Sequence, residues 1–319
     1  MLEGWLDFER PIAELEAKIS ELSTLGGYQE EINRLRAQAE RLKKKIYSNL
    51  TPWQKVCLAR HPRRPYTLDY IDLICEEFIE LHGDRGYGDD PAIVAGLAKM
   101  DGKNLVIIGH QKGRDTRDKL RRNFGMPHPE GYRKALRVMQ LAAKFNLPLL
   151  TFVDTPGAYP GVGAEERGQA EAIARNLREL AVLPVPIIVV ICGEGGSGGA
   201  LAIAVGDRIL IMEYATYSVI SPEGCASILW RDGNKAEEAA KVLRLTSQDL
   251  AEFKVVDEII PEPLGGAHQD WATAAKNVKT AVLKNLSELE TIPTDELVKK
   301  RIEKFTRMGM VSRSNAGVI

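Results

Sequence analysis

Val185-Pro-Ile-Ile-Val-Val-Ile-Cys192, followed directly by Gly193-Glu194-Gly195-Gly196-Ser197-Gly198-Gly199-Ala200-Leu201-Ala202, is the stretch that decides the fold. Its first half is a short β-branched apolar run, the composition of a buried parallel strand. Its end runs into Ala200-Leu-Ala-Ile-Ala204, which reads as the start of a buried helix. Five glycines therefore sit at a strand-to-helix junction. Glycine there lets the backbone take positive φ and lets a ligand approach closely. The first N–H groups of a helix have no internal partner and carry the positive end of its dipole. Such a turn can hold an anion or a developing oxyanion. A tight turn between packed elements is the plainer reading, but two glycines suffice for that.

Upstream, Leu147 to Val153 reads as a second strand. It ends in Asp154-Thr-Pro-Gly157-Ala158-Tyr-Pro-Gly-Val-Gly-Ala164, a loop crowded with glycine and proline. Helices are expected over Pro129–Asn146 and Glu165–Leu180. Strands are expected over Ile93–Met100 and Asn104–His110, joined by the two-residue hairpin signal Asp101-Gly102. Downstream, Asp207–Met212 and Tyr217–Ile220 read as strands. Ser221-Pro222-Glu223-Gly224 opens a helix, with Ser221 as N-cap and Pro222 at the first position. Lys235–Leu245 reads as a helix and Val255–Ile260 as a strand. This alternation is an α/β domain with crossover units, and its site belongs where loops leave neighbouring strand ends.

Ile12, Leu15, Ile19 and Leu22, then Ile32, Leu35, Ala39, Leu42 and Ile46 beyond Gly26-Gly27, keep three-four spacing. They predict an amphipathic helical hairpin whose exposed seam suits a partner subunit. Thr51–Pro65 reads as an irregular basic connector. Thr67–Leu81 reads as helical with Thr67 as N-cap, and Gly83–Asp90 as a turn cluster. Asp270 to Met308 is charged and helical. The expected division is an N-terminal helical region 1–85, a core 86–266 and a C-terminal helical region 267–319.

The 319 residues carry a net charge of −1, which gives no global attraction for nucleic acid or membrane. No apolar run is long enough to span a bilayer. Met1-Leu-Glu-Gly-Trp-Leu-Asp7 lacks a basic start, so no signal or transit peptide is expected. The four cysteines are scattered without a Cys-x-x-Cys pair, and the five histidines never fall three or four apart, so no metal site is expected. A reducing cytoplasmic compartment follows.

Three constellations compete for the chemistry. Lys112 to Arg122 is dense in cations interleaved with acids, a solvated loop or a site for phosphate or carboxylate, with Arg121 and Arg122 as candidate substrate-binding groups. Gly195-Gly-Ser197-Gly-Gly199 matches the nucleophile elbow of a serine hydrolase, and Asp257 and His268 follow in that order, though His268 falls in a Pro/Gly-rich linker. Glu194 and Glu223 could form the carboxylate pair of a hydratase, but nothing in the sequence fixes their separation.

Four segments, Asp154-Thr-Pro-Gly-Ala-Tyr-Pro-Gly-Val-Gly-Ala-Glu-Glu-Arg-Gly-Gln169, Gly193-Glu-Gly-Gly-Ser-Gly-Gly199, Ser221-Pro-Glu-Gly-Cys-Ala-Ser-Ile-Leu-Trp230 and Arg121-Arg-Asn-Phe-Gly-Met-Pro127, closely resemble the α subunits of bacterial and plastid acetyl-CoA carboxylase carboxyltransferases. So do Leu6-Asp-Phe-Glu-Arg-Pro-Ile-Ala-Glu-Leu-Glu-Ala-Lys18 and Arg64-Pro-Tyr-Thr-Leu-Asp-Tyr70. The resemblance implies a crotonase-type ββα superhelix and an α2β2 enzyme whose β subunit carries a zinc ribbon. It implies transfer of a carboxyl group from carboxybiotin, on a biotin carboxyl carrier protein, to acetyl-CoA, forming malonyl-CoA for fatty acid biosynthesis. ATP is used by a separate biotin carboxylase, and no cofactor is expected on this chain. By the same resemblance the diglycine Gly198-Gly199 supplies backbone donors to the biotin ureido oxygen, with Gly199 and Ala200 left open as the pair. Gly157 and Ala158 are further candidate substrate-binding positions.

Overall fold

The computed structural model describes residues 4–309. Residues 1–3, where the leader reading begins, and 310–319, the end of the expected C-terminal region, lie outside the described residues.

The chain opens with the hairpin α1 (Arg10–Leu25) and α2 (Gln29–Tyr47). Gly26 and Gly27 turn it with φ of 70° and 84°. Ile19, Ile32, Leu35 and Ala39 form a small core of its own between the two helices. Then come α3 (Pro52–Ala59), α4 (Thr67–Ile74), β1 (Glu77–Glu80), β2 (Ile93–Met100), β3 (Lys103–His110), α5 (Thr116–Arg121), α6 (Pro129–Lys144) and β4 (Leu149–Thr155). The chain continues through α7 (Val162–Glu166), α8 (Gln169–Val182), β5 (Ile187–Gly196), α9 (Ser197–Leu201), β6 (Arg208–Met212) and β7 (Thr216–Ser218). It ends with α10 (Pro222–Trp230), α11 (Ala236–Leu243), α12 (Ser247–Glu252), β8 (Glu258–Ile260), α13 (Trp271–Leu289) and α14 (Thr294–Thr306).

Among the described residues the strands form one sheet in the order β1-β2-β3-β4-β5-β6-β8, with β7 beside the far end of β5. β1, β2 and β3 are antiparallel; β3 onward is parallel. Asp101 and Gly102 both take positive φ, the two-residue turn whose twist matches that of a hairpin. Every residue of β4 is buried, as the unbroken apolar run requires.

Four expectations are corrected. The basic connector contains α3, because Thr51 caps it and Gln54 returns the bond to the Thr51 N–H. The segment Thr67–Leu81 is helical only to Ile74; Cys75 turns extended and Glu77–Glu80 adds β1 to the sheet edge. Tyr66 is the N-cap of α4, its N–H held by Asp69, while the Thr67 hydroxyl donates to the His110 carbonyl. The single helix expected over Glu165–Leu180 is two, broken where Gly168 takes φ 82°.

Two buried arginines bind the periphery to the sheet. Arg64 donates to the Cys192 carbonyl within β5 and, at 2.8 Å, to both oxygens of Glu262. Arg301, on α14, donates to both oxygens of Asp207 and to the carbonyls of Leu180, Leu183 and Val185. Removing it strands a buried carboxylate and three acceptors. Arg301→Leu is therefore expected to cost about 3–5 kcal/mol of stability. Urea denaturation checks this, and an unchanged midpoint would refute the anchoring role.

Candidate functional site

The site forms where β4 and β5 end side by side. The strand does not stop at the first glycine: β5 runs on to Gly196, pairing Glu194, Gly195 and Gly196 with β7. The helix begins only at Ser197, which takes φ 50°, an uncommon conformation for a side-chain-bearing residue. The glycines serve close approach. A Cβ on Gly196 would lie 2.2 Å from the Pro156 carbonyl oxygen, and one on Gly199 would lie 2.4 Å from the Ala158 nitrogen. Gly157 and Ala158 thus form the wall facing α9. Gly198 is different, since its Cβ would meet only Ile173 carbons at 3.7 and 3.8 Å. The N–H groups of Gly198 and Gly199, in the first turn of α9, bond to no other described residue.

Beneath the turn lies a chain of charges. The register between β4 and β5 slips at Asp154. Its carboxylate accepts the Glu194 N–H at 3.0 Å and the Lys112 ammonium at 2.7 Å. Lys112 also reaches Glu194 at 3.1 Å, and Arg60 joins Glu194 to Glu223 at 2.5 Å each. Burial pulls the Lys112 ammonium down, but Asp154 and Glu194 more than reverse it, so it stays charged. Burial raises the Glu194 carboxyl, and Lys112 and Arg60 outweigh this and hold it ionised. Glu194 and Glu223 are brought together, but onto one guanidinium. Neither is the protonated acid that a hydratase pair needs.

The remaining candidates are dispersed. His268 stacks on His61 at 3.9 Å between ring centroids, and Asp257 holds the Ile209 N–H and Lys304. Neither bonds to Ser197, so the hydrolase triad does not form. Arg122 is buried, donating to the Pro91 carbonyl and Asp118, and so ties down its own loop. Arg121 is exposed and pairs with Asp118.

Two features escaped sequence reading. His110 is wholly buried against the backbones of Gly199 and Phe152, yet neither ring nitrogen makes a well-formed hydrogen bond. Its position closing β3 beside a glycine was the available signal. Glu9, His61 and His268 converge from three distant segments, with their ligand atoms within 4.8 Å of one another. The His61 Nδ1 accepts the Arg63 N–H, so Nε2 carries the proton donated to the Gly4 carbonyl. Both nitrogens are engaged, which makes the cluster a buried latch for the N-terminal segment rather than a metal centre.

A sequence profile described as acetyl co-enzyme A carboxylase carboxyltransferase-like matches residues 5–309. A Geobacter metallireducens protein named acetyl-coenzyme A carboxylase carboxyl transferase subunit alpha is 59% identical over 95% of this chain and 96% of its own length. The chain belongs to the acetyl-CoA carboxylase carboxyltransferase α-subunit family. A family member from Methylococcus capsulatus is 57% identical over 96% of this chain and 97% of its own. Solved structures agree in fold. A Pseudomonas malonate decarboxylase hetero-tetramer in complex with coenzyme A superposes with a TM-score of 0.60 at 17% identity, over 75% of this chain and 95% of that one. Transcarboxylase 12S gives 0.56 at 19% identity, over 80% and 44%. The fold is the crotonase type of the carboxyltransferases, and family membership removes the serine-hydrolase alternative.

The two glycines should respond differently to an added methyl group. Gly199→Ala drives a methyl into immovable backbone and is expected to cost about 1–3 kcal/mol. Gly198→Ala should be neutral or better, and matching melting temperatures for the two would refute the close-approach argument. Burial, then the neighbouring His268, hold the His61 pKa down to about 4, and burial holds His110 down to about 3. Unfolded, both titrate near 6.5. Below that value the unfolded chain binds more protons, so stability falls as pH drops towards 4, by about 1.4 kcal/mol per unit for each histidine. Denaturant titrations from pH 7 to 4 read the slope. A slope of zero there would show the histidines are not buried neutral.

Proposed function

We propose that this chain is the α half of an acetyl-CoA carboxylase carboxyltransferase and that its glycine turn binds the biotin end of the reaction. The observation that carries this is the pair of unpartnered N–H groups on Gly198 and Gly199, in a site whose carboxylates are all ion-paired. When the carboxyl group leaves carboxybiotin, negative charge develops on the ureido oxygen. Backbone donors stabilise that charge without titrating. Gly198 and Gly199 are the donors we assign, and Gly157 and Ala158 form the opposing wall that fixes α9 in place. The carboxyl group is passed to the α-carbon of acetyl-CoA, giving malonyl-CoA, and the proton displaced from that carbon ends on biotin. No histidine or free carboxylate of this chain is needed as base.

The charge on the acetyl thioester requires a second set of donors, which we place on a zinc-bearing β subunit in an α2β2 assembly. An apolar groove of about 320 Å³, lined by Ser197, Leu201, Tyr217, Val219, Leu250 and Phe305, adjoins the turn. Val219 in this groove is exposed, as are Ile228 and Leu229 on α10, and we propose that the β subunit covers them. We keep the three-part division of the chain, with the hairpin in the 1–85 region as a partner contact and β1 added to the core. Arg121 remains a candidate for a substrate carboxylate or phosphate at the mouth. The carrier protein and a separate, ATP-using biotin carboxylase complete the reading. No described helix is long and apolar enough to cross a membrane, and we place the enzyme in the cytoplasm.

The test uses the complex reconstituted with its β subunit, assayed by biotin-dependent decarboxylation of malonyl-CoA. Gly198→Pro deletes one donor in the first turn of α9, where no N–H has an intrahelical partner to lose. It is expected to lower kcat by roughly 10²–10³-fold. Gly198→Ala and Ser197→Ala, which keep every N–H, should stay within a few-fold of wild type. A fully active Gly198→Pro complex, or a Ser197→Ala complex that is folded but dead, would overturn the assignment; melting temperature and gel filtration accompany each.

A further inference from the structure

The loop between β3 and α6 carries a surface that the glycine turn does not use. Asn123, Phe124 and Gly125 take left-handed backbone in succession, with φ of 48°, 55° and 80°. This is strained for phenylalanine and persists only where the surroundings enforce it. Here the Asn123 amide donates to Asp90 and to His128 Nδ1, and the Gly125 N–H bonds back to the Arg122 carbonyl at 2.8 Å. The result is a phenylalanine held 48% exposed. Four residues earlier, α5 presents Leu120, 61% exposed.

Arg117, Lys119 and Arg121 share α5 with Leu120. The carboxylates of the segment are already committed. Asp115 caps α5 through the Asp118 N–H, and Asp118 accepts from Arg121 and Arg122. Arg117 and Lys119 make no ion pair among the described residues. An exposed apolar pair rimmed by uncompensated cations has the anatomy of a protein-binding patch whose partner is acidic. A site for a phosphate alone would have no use for an exposed leucine.

The patch is bolted to the catalytic floor. A Cβ on Gly125 would lie 2.6 Å from the Lys112 Cγ and 3.6 Å from the Asp154 carbonyl oxygen. Lys112 and Asp154 are also the groups beneath the glycine turn. Whatever docks on Leu120 and Phe124 therefore sits at the rim of the turn.

We propose that the Arg117–Phe124 patch docks an acidic face of the biotin-bearing carrier domain and so aims its biotin at Gly198 and Gly199. This rests on the carboxyltransferase reading above. It follows that biotin offered free in solution bypasses the patch, while biotin offered on its protein depends on it.

The experiment compares the two in the reconstituted complex. One variant is Arg117→Glu with Lys119→Glu. The other is Leu120→Gln with Phe124→Asn, in which asparagine tolerates the left-handed backbone and glutamine keeps the helix. With the carrier domain as acceptor in malonyl-CoA decarboxylation, both variants should raise the carrier KM by about tenfold or more, and the wild-type value should climb with salt. With free biotin, kcat and the KM for malonyl-CoA should stay within about twofold of wild type. An unchanged carrier KM overturns the proposal. So does a raised malonyl-CoA KM with free biotin, which makes the patch a CoA-phosphate site, or loss of the complex on gel filtration, which makes it a subunit interface. A wild-type complex that uses neither acceptor would instead overturn the carboxyltransferase reading.

Discussion

The rest of the site depends on backbone touching backbone. Two parallel strands end together, and the chain beyond one lies against the chain beyond the other with no side chain between them. Gly196 sits against the Pro156 carbonyl and Gly199 against the peptide joining Gly157 and Ala158. The neighbours are backbone peptide groups of the loop that leaves β4, so neither can yield to a methyl group as the end of a flexible side chain could. The contact aims α9. It sets where the first helical N–H groups point, and it forces the Ser197 turn into a conformation that few serines adopt.

A contact of that kind has no directional glue of its own, and the charges beneath it supply the direction. Asp154 fills the space that a side chain on Gly193 would take and grips the Glu194 N–H. Lys112 then joins Asp154 to Glu194, and Arg60 joins Glu194 to Glu223. Burying such groups is costly enough that an apolar replacement of equal volume could be as stable. Their effect is geometric: each link ties one segment of the turn to another. It is also chemical, because Asp154, Glu194 and Glu223 are each engaged by a cation. That leaves the uncharged backbone donors as the groups free to meet a new negative charge.

Much of this could be read from residue patterns. The Asp101-Gly102 turn, Pro222 behind its Ser221 cap, and the diglycine folding of the N-terminal hairpin each follow from local rules, and the structure has them where expected. The glycine-rich stretch pointed to the site because it holds more glycines than a turn needs. What local rules missed were outcomes of tertiary pairing. Gly193 to Gly196 has poor strand propensity, but β7 offers it a partner ladder and β5 continues. Glu77–Glu80 reads as helix by composition and becomes strand because β2 has a free edge. Arg60 and Glu194 are 134 residues apart, and nothing near either one announces the other.

The run from Lys112 to Arg122 shows why composition alone cannot sort a charged loop. Read as sequence, its cations are equivalent. Folded, they divide by what each one touches. Lys112 lies under the glycine turn, Arg114 packs over Tyr66 and holds Asp69, and Arg122 is buried on a carbonyl. Charge placed in such positions is spent on fixing geometry, and at the buried Lys112 and Arg122 it is shielded from solvent ions. Arg117 and Lys119 form no ion pair among the described residues, and the field they create extends outward, where salt screens it and an oppositely charged surface feels it. The same eleven residues therefore build the floor of the site from one face and a charged approach to it from the other. The strained Asn123-Phe124-Gly125 turn is the hinge between these two uses, since it is braced from below by Lys112 and Asp154 while it holds an aromatic ring to solvent above.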